Sequence, residues 1–286
     1  MFDAPVTLAA QDDVAYFSRR RRRDEGGRQL YRDLAEVAPC GAWIAKEETG
    51  TPIGIAFLHA SEDESYVSEI YVEPGYRRQG IAWKLFAAAS RDADDVTSSG
   101  LLGTDPVAAL AFFLRRGFSL QTPVLCVSGA IPRDDDLLAI AAGEYRFATE
   151  RIDPVADRMA VAGLDREVRG TARPLDHAYF AERAHGVVFR LEGEFVGYAY
   201  VWPDGSIGPL AAASGAYAVQ FFAYALIALR RTLDASWCKA LVPGTNLRIL
   251  RVATRAGLSV EAVRLFASDA GASDLSRYVG FDHLLF

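Results

Sequence analysis

The sequence predicts a two-domain α+β protein, and three observations predict it. Strand-like runs joined as hairpins are followed by helical periodicity, and this order occurs twice along the chain. A helix-ending glycine and its apolar successor recur as Gly117-Phe118 and Gly257-Leu258, an offset of 140 residues (257 minus 117). The length, 286 residues, is enough for two ordinary domains. A period this long means a duplicated domain, because solenoid repeats run roughly 20 to 50 residues.

Taken in order, residues 42–46 and 53–59 read as a hairpin around the turn Thr49-Gly50-Thr51-Pro52. Residues 66–72 form a third strand. Ile81, Leu85, Ala88 and Ala89 then recur at helical spacing. Residues 100–103 read as a short strand. Asp105 and Pro106 open a second helix as N-cap and first-turn proline, and Gly117 closes it. Residues 118–127 complete the first half as a strand. The charged, turn-rich stretch beginning at Gly129 is read as the end of a first domain (1–130) and a linker (131–142) before a second domain (143–286). There the order repeats. A hairpin (187–191 and 195–202) turns at Glu192-Gly193-Glu194. A short strand (206–210), a long helix to about Arg231, a strand (237–242), a helix (246–256) and a strand (258–266) follow.

Composition bounds the function. Half of the residues are hydrophobic (51%) and a quarter charged (24%), as in a protein with a real core. A net charge of −6 supplies no basic field for nucleic acid, so no nucleic-acid partner is expected. The cysteines, Cys40, Cys126 and Cys238, are too scattered for a zinc signature or a disulfide framework, and a reducing cytoplasm is expected. No signal peptide is evident. The most apolar helix, Ala216 to Leu229, is too short for a span of about 20 residues and contains Gln220, so no membrane association is expected.

The most informative segment is Ile70-Tyr-Val-Glu-Pro-Gly-Tyr-Arg-Arg-Gln-Gly-Ile-Ala-Trp83. A strand runs into a proline turn, then Arg77-x-x-Gly80-x-Ala82, then a helix. Orphan N–H groups and a helix N-terminus surround one small space, which favours a phosphate-bearing ligand held by backbone.

Residues 41–128 resemble the GNAT N-acetyltransferase superfamily. The resemblance rests on Val72-x-Pro74-x-x-Arg77-Arg78-x-Gly80-Ile81-Ala82, on Leu85, and on Ala109-x-x-Phe112-Phe113-x-x-x-Gly117-Phe118. The second half looks like a degenerate copy. The resemblance implies two α+β GNAT-like domains, each a mixed, mostly antiparallel sheet flanked by helices. It also implies acetyl-CoA as acyl donor, no metal, and an acceptor that is a small-molecule or peptide amine. The backbone of Ile70, Tyr71 and Val72 would pair with the pantetheine arm. N–H groups of the loop Arg77, Arg78, Gln79, Gly80, Ile81, Ala82 and Trp83 would cradle the pyrophosphate, and Phe113 would flank the cofactor. A monomer or a homodimer is expected.

Two departures from the family pattern matter. Positions that in many relatives hold Asn and a general-acid Tyr hold Pro106 and Phe113 here. The second half has Asn246 and Ala253 there, and its loop, Ala213-Ser214-Gly215-Ala216, lacks R-x-x-G-x-A. No acetyl-CoA is therefore expected in that half. Acyl transfer still needs a stabilised carbonyl oxygen, a deprotonated amine and a leaving thiolate. Tyr71 is the substitute proton donor and Glu69 the base. Period 2 puts Glu69, Tyr71 and Glu73 on one face of their strand and Ser68, Ile70 and Val72 on the other. The alternative for Glu69 is a simple pair with a basic residue. The alternatives for the protein are a catalytically weak acyl-CoA-binding or regulatory protein, and a transferase using a longer acyl-CoA.

Two other features have two readings each. Arg19 to Arg23 form either an anion-binding patch, for an acidic acceptor or the cofactor 3′-phosphate, or a solvated helix face with internal pairing. The apolar ending Gly280 to Phe286 reads as a docked closing strand, or as a carboxylate reaching the first active site. Tyr217, Phe221, Phe222 and Tyr224 are expected to join the halves. His59, His177, His185 and His283 have no metal-ligand spacing.

Overall fold

Both expected hairpins of the chain are present, and each seeds a sheet. A computed structural model describes residues 4–21, 25–37, 41–60, 64–91, 97–103, 107–269 and 273–286. Close contacts divide the chain into two units, Met1–Gly100 and Leu101–Phe286.

The first unit opens with β1 (Val6–Leu8), α1 (Gln11–Arg21) and α2 (Glu25–Val37). Then come β2 (Ala42–Lys46), β3 (Pro52–Ala60), β4 (Glu64–Val72), α3 (Ile81–Ala89) and β5 (Thr97–Gly103). The pairs β1–β2, β2–β3 and β3–β4 are antiparallel, and β4–β5 is parallel. Opposite residues in antiparallel strands share a face. Ile55 and Phe57, opposite Tyr71 and Glu69, therefore lie on one side. There Phe17 of α1 meets Tyr71 with ring centroids 5.8 Å apart, and Tyr31 of α2 meets Phe57 at 4.6 Å. On the other side lies α3. Gly54 has no side chain because a Cβ there would stand 3.1 Å from Leu85 Cδ1 and 3.4 Å from Ile81 Cγ2.

The second unit contains α4 (Val107–Leu114), β6 (Ser119–Ala130), α5 (Asp134–Ala141), β7 (Ala148–Arg151), α6 (Arg158–Arg169) and α7 (Pro174–Arg183). It continues through β8 (His185–Leu191), β9 (Glu194–Val201), β10 (Ser206–Ala212), α8 (Gly215–Thr232) and β11 (Trp237–Pro243). It ends with α9 (Leu247–Arg255), β12 (Ser259–Ser268) and β13 (Tyr278–Val279). Its strands lie in the order β12-β6-β11-β10-β9-β8-β7, with β13 on β10. Successive residues of β9 face opposite sides. Ala199 and Val201 join the core under α8, where Phe189 stacks on Phe221 at 3.8 Å. Tyr198 and Tyr200 face α7, with the His177 ring 5.0 Å and 5.7 Å away.

The duplication is visible in hydrogen bonds. Phe118 N–H donates to Phe113 O at 3.3 Å and Gly117 N–H to Leu114 O at 3.2 Å. Leu258 N–H donates to Ala253 O at 3.0 Å and Gly257 N–H to Thr254 O at 3.1 Å. Each is a Schellman stop, and the glycines have matching φ angles of +84° and +86°. Their strands β6 and β12 are antiparallel neighbours, with Ser128 opposite Ser259 and Ser119 opposite Ser268. A Cβ at Gly257 would meet nothing within 4 Å. Gly257→Ala therefore carries only the left-handed backbone cost. A loss of about 1–2 kcal/mol is expected in urea unfolding, and an unchanged midpoint would contradict it.

Several expectations change. The expected boundary at 130 falls at the end of β6, which pairs along its length with β11 and β12. Most of the expected linker, 131–142, is helix: Leu137 is fully buried, and Gln220 of α8 donates to Ala141 O at 3.0 Å. Phe221 and Phe222 are core residues of the second unit with 0% exposure. Tyr217 and Tyr224 pack on the same cluster, so this aromatic set, expected to join the halves, fills the core of the second unit. The chain end is a docked one. Leu284, Leu285 and Phe286 are buried, and Phe286 O accepts from Arg169 Nη2 at 2.8 Å. Asp105, Pro106 and Cys40 lie outside the described residues.

Candidate active site

Pairing between β4 and β5 covers only Glu64–Val67 against Thr97–Gly100. Beyond Val67, β4 runs on to Val72 along β3 alone within this unit. The register against β3 shifts at this point: Leu58 faces Val67 but Phe57 faces Glu69, which leaves Ser68 as a bulged residue. A bulge adds twist and ends regular pairing. Here it turns the second half of β4 into a strand whose β5-side edge is available to a ligand.

That edge leads directly into the loop. A single 3₁₀ turn spans Pro74–Tyr76, where Tyr76 N–H donates to Glu73 O at 2.9 Å. Arg77 Nε donates to Val72 O at 2.9 Å and braces strand end to loop. Arg78 and Gly80 both adopt positive φ, 62° and 84°. Left-handed residues in such a loop converge backbone N–H groups on one point, as in anion-binding nests. Gly80 is the N-cap of α3 and no side chain caps it, so the first-turn donors are left to a ligand or solvent. Ile81, 1% exposed, anchors the helix, while Trp83 is 51% exposed beside the loop. Gln79 Nε2 reaches back to Gly75 O at 3.3 Å.

The opposite face of β4 carries the ionisable groups. Glu69, Tyr71 and Glu73 lie under α1, as the alternation predicts. Arg21 Nε donates to Glu69 Oε1 at 2.7 Å, and Arg20 Nε lies 3.0 Å from Glu73 Oε1. The arginine run is thus spent partly on these two acids; Arg19 is exposed, and Arg22 and Arg23 lie outside the described residues. Tyr71 OH donates to Glu73 Oε2 at 3.1 Å. Partial burial and the Glu73 carboxylate push the phenol pKa above its ordinary 10.0, so Tyr71 keeps its proton. Phe113 lies in the second unit as a buried residue of α4, edge-on to Phe112 and Phe118, with no hydroxyl to offer.

The degenerate loop of the second unit is chemically different. Ser214 caps α8 by accepting from Ala216 N–H at 3.2 Å. Arg277 Nη1 donates to Ala213 O at 2.5 Å. A side-chain cap that Gly80 lacks is thus supplied here by the chain itself. Asn246 caps α9, accepting from Ile249 N–H at 3.2 Å and donating to Tyr278 O at 3.1 Å.

Sequence reading missed a buried cluster in this unit. Asp165 Oδ2 lies 2.9 Å from His177 Nε2 and 3.2 Å from Arg173 Nε, and Tyr198 OH donates to Oδ1. His177 Nδ1 meets Tyr200 OH at 3.1 Å, and Arg173 Nη2 donates to Tyr278 OH at 2.5 Å. Its sequence signal was the spacing: Asp165, Arg169, Arg173 and His177 recur every four residues. Among the described residues, no group of His, Cys, Asp and Glu is placed to hold a metal, and no helix is long and apolar enough to cross a membrane.

Comparison with known proteins agrees with this geometry. Residues 38–120 match the family model described as an acetyltransferase (GNAT) domain. No curated protein matches the chain. A solved candidate acetyltransferase from Pyrococcus horikoshii is similar over 99% of this chain and 96% of its own, with a TM-score of 0.72 and 16% identity. A GCN5-related N-acetyltransferase from Sphaerobacter thermophilus covers 97% of this chain and 100% of its own (TM-score 0.62, 16% identity). A tandem GNAT protein from the clavulanic acid biosynthesis pathway covers 95% and 100% (TM-score 0.60, 17% identity). At such identities the structural likeness speaks to fold alone.

Proposed function

We propose that this protein transfers an acetyl group from acetyl-CoA to an amine: residues 38–120 match the model of a GNAT acetyltransferase domain, and the fold is like that of a tandem GNAT protein. One observation carries the proposal. The open edge of β4 leads into a left-handed loop and an uncapped helix start at Gly80. An extended ligand with a pyrophosphate at one end fits that sequence of donors. The pantetheine arm pairs with Ile70, Tyr71 and Val72, and backbone N–H groups from Arg78 to Trp83 hold the phosphates.

Chemistry follows by direct transfer. The amine nitrogen attacks the thioester carbonyl, the C–N bond forms, and the C–S bond breaks. Glu69, paired with Arg21 at 2.7 Å, takes the ammonium proton. Tyr71 supplies a proton to the departing sulfur, and its raised pKa keeps it protonated through the neutral and mildly alkaline range. A thiolate leaves without help more readily than an alkoxide, so Tyr71 contributes in the range of a general acid, about 10²–10⁴-fold. The second domain takes no acetyl-CoA in this proposal, since its loop lacks R-x-x-G-x-A and Ser214 caps its helix by accepting from Ala216 N–H, where Gly80 provides no side-chain cap.

Tyr71→Phe and Glu69→Gln test the assignment. Both are expected to lower kcat by about 10²–10⁴-fold in acceptor-dependent thiol release. The acetyl-CoA dissociation constant is expected to stay within threefold of wild type, roughly a 0.6 kcal/mol change. Full turnover in either variant rejects that residue. A second reading, an acyl-CoA-binding protein without turnover, is favoured by Phe113 standing where a tyrosine would donate. Tight cofactor binding with no thiol release for any amine would establish it.

A further inference from the structure

We propose that Arg21 selects the acceptor by binding a carboxylate on it, so that the amine acetylated is that of a free α-amino acid. The proposal rests on the acyl-transfer function above. α1 carries the Arg21 guanidinium over the Tyr71 ring, 4.2 Å from its centroid. One side of that group is engaged: Nε donates to Glu69 Oε1 at 2.7 Å. Among the described residues, Nη1 and Nη2 donate to nothing. The Arg21 side chain is 39% exposed and Glu69 only 7%. The pair therefore keeps its acid mostly buried and its guanidinium partly open to solvent.

An α-amino acid is the complement of such a pair. Its ammonium and carboxylate leave the same carbon, and Glu69 and Arg21 are in direct contact. The ammonium meets Glu69, the assigned base, while the carboxylate accepts two parallel N–H bonds from the fork, the geometry for which guanidinium is suited. An amine without a carboxylate would bring positive charge beside Arg21 and also near Arg20, which is already bound to Glu73 at 3.0 Å and to Tyr16 OH at 3.1 Å. The acids there, Glu69 and Glu73, are already engaged by Arg21 and Arg20, so less negative charge is left to offset that repulsion than a substrate carboxylate would supply. A peptide N-terminus fails for the same reason, because its nearest carboxyl is an amide.

Thiol release from acetyl-CoA by the full-length protein tests this with matched acceptors: phenylalanine against phenethylamine, lysine against cadaverine, and a phenylalanine-leading tripeptide. The amino acid is expected to exceed its decarboxylated partner by at least about tenfold in kcat/KM, the size of one charge-assisted hydrogen bond. Arg21→Gln is expected to raise KM for the amino acid by about 10- to 100-fold with KM for acetyl-CoA unchanged. Arg21→Lys, which keeps the charge but not the fork, is expected to recover part of that loss. Circular dichroism of both variants checks that they fold, and the comparison of acceptors needs no variant. Amines or the tripeptide reacting as well as the amino acids would overturn the proposal and leave acyl transfer standing. Thiol release by none of them would overturn acyl transfer as well.

Discussion

Asp165→Ala is expected to lower the free energy of unfolding by about 3–5 kcal/mol, the cost of breaking a buried ion pair from one side. Asp165 is fully buried and Arg173 only 2% exposed, so the variant leaves a buried guanidinium without the carboxylate it is paired with. Arg173 already has one buried nitrogen, Nη1, without a partner, which leaves it nowhere else to turn. The same carboxylate makes stability pH-dependent. Burial alone would raise its pKa, but the charges of His177 and Arg173 and the hydrogen bond from His177 hold it well below the ordinary 3.8. A carboxylate with a depressed folded-state pKa stabilises fully above its unfolded pKa, and that stabilisation is lost as pH falls below it. Urea unfolding of wild type should therefore weaken as pH drops from about 5 toward 2. Asp165→Asn should start less stable and show a flatter acid limb. An Asp165→Ala protein as stable as wild type would mean that the cluster does not act as a buried ion pair.

Gly80→Val is expected to weaken acetyl-CoA binding by at least tenfold while the protein stays folded. Gly80 has φ +84°, and a Cβ there would meet nothing within 4 Å. Steric crowding is therefore not the cause. A β-branched residue is strongly disfavoured in the left-handed region, so the loop would rotate and its N–H groups would no longer converge. Gly80→Asn, which tolerates that conformation, should lose much less. A calorimetric titration with acetyl-CoA distinguishes the two. Wild-type affinity in the valine variant would place the pyrophosphate somewhere else.

Local patterns made much of this legible in the sequence. Alternation along Ile70 to Glu73 put Glu69, Tyr71 and Glu73 on one face, and the structure sets all three under α1. The glycines at 117 and 257 marked two helix ends with the same hydrogen bonds. What was not legible was long-range. Which strands β6 would join depends on pairings with residues more than 100 positions away, as Ser128 with Ser259 shows. Charge runs such as 129–136 look like linkers whether or not the apolar residues after them find a surface, and Leu137 does. A pair between Glu69 and a basic residue was one of the two readings, but which residue was not legible for the same reason: Arg21 lies 48 positions away. The period-4 series from Asp165 to His177 was visible, but it crosses the break between α6 and α7, so it marks no single helix face.

Acceptor-dependent turnover is the most direct measurement. Wild-type protein is mixed with acetyl-CoA and phenylalanine, and free thiol and N-acetylphenylalanine are quantified together. Equal amounts of the two products, rising with acceptor concentration and absent without it, are the predicted result. Bound acetyl-CoA with thiol release no faster than in buffer, whatever amine is supplied, would contradict the account.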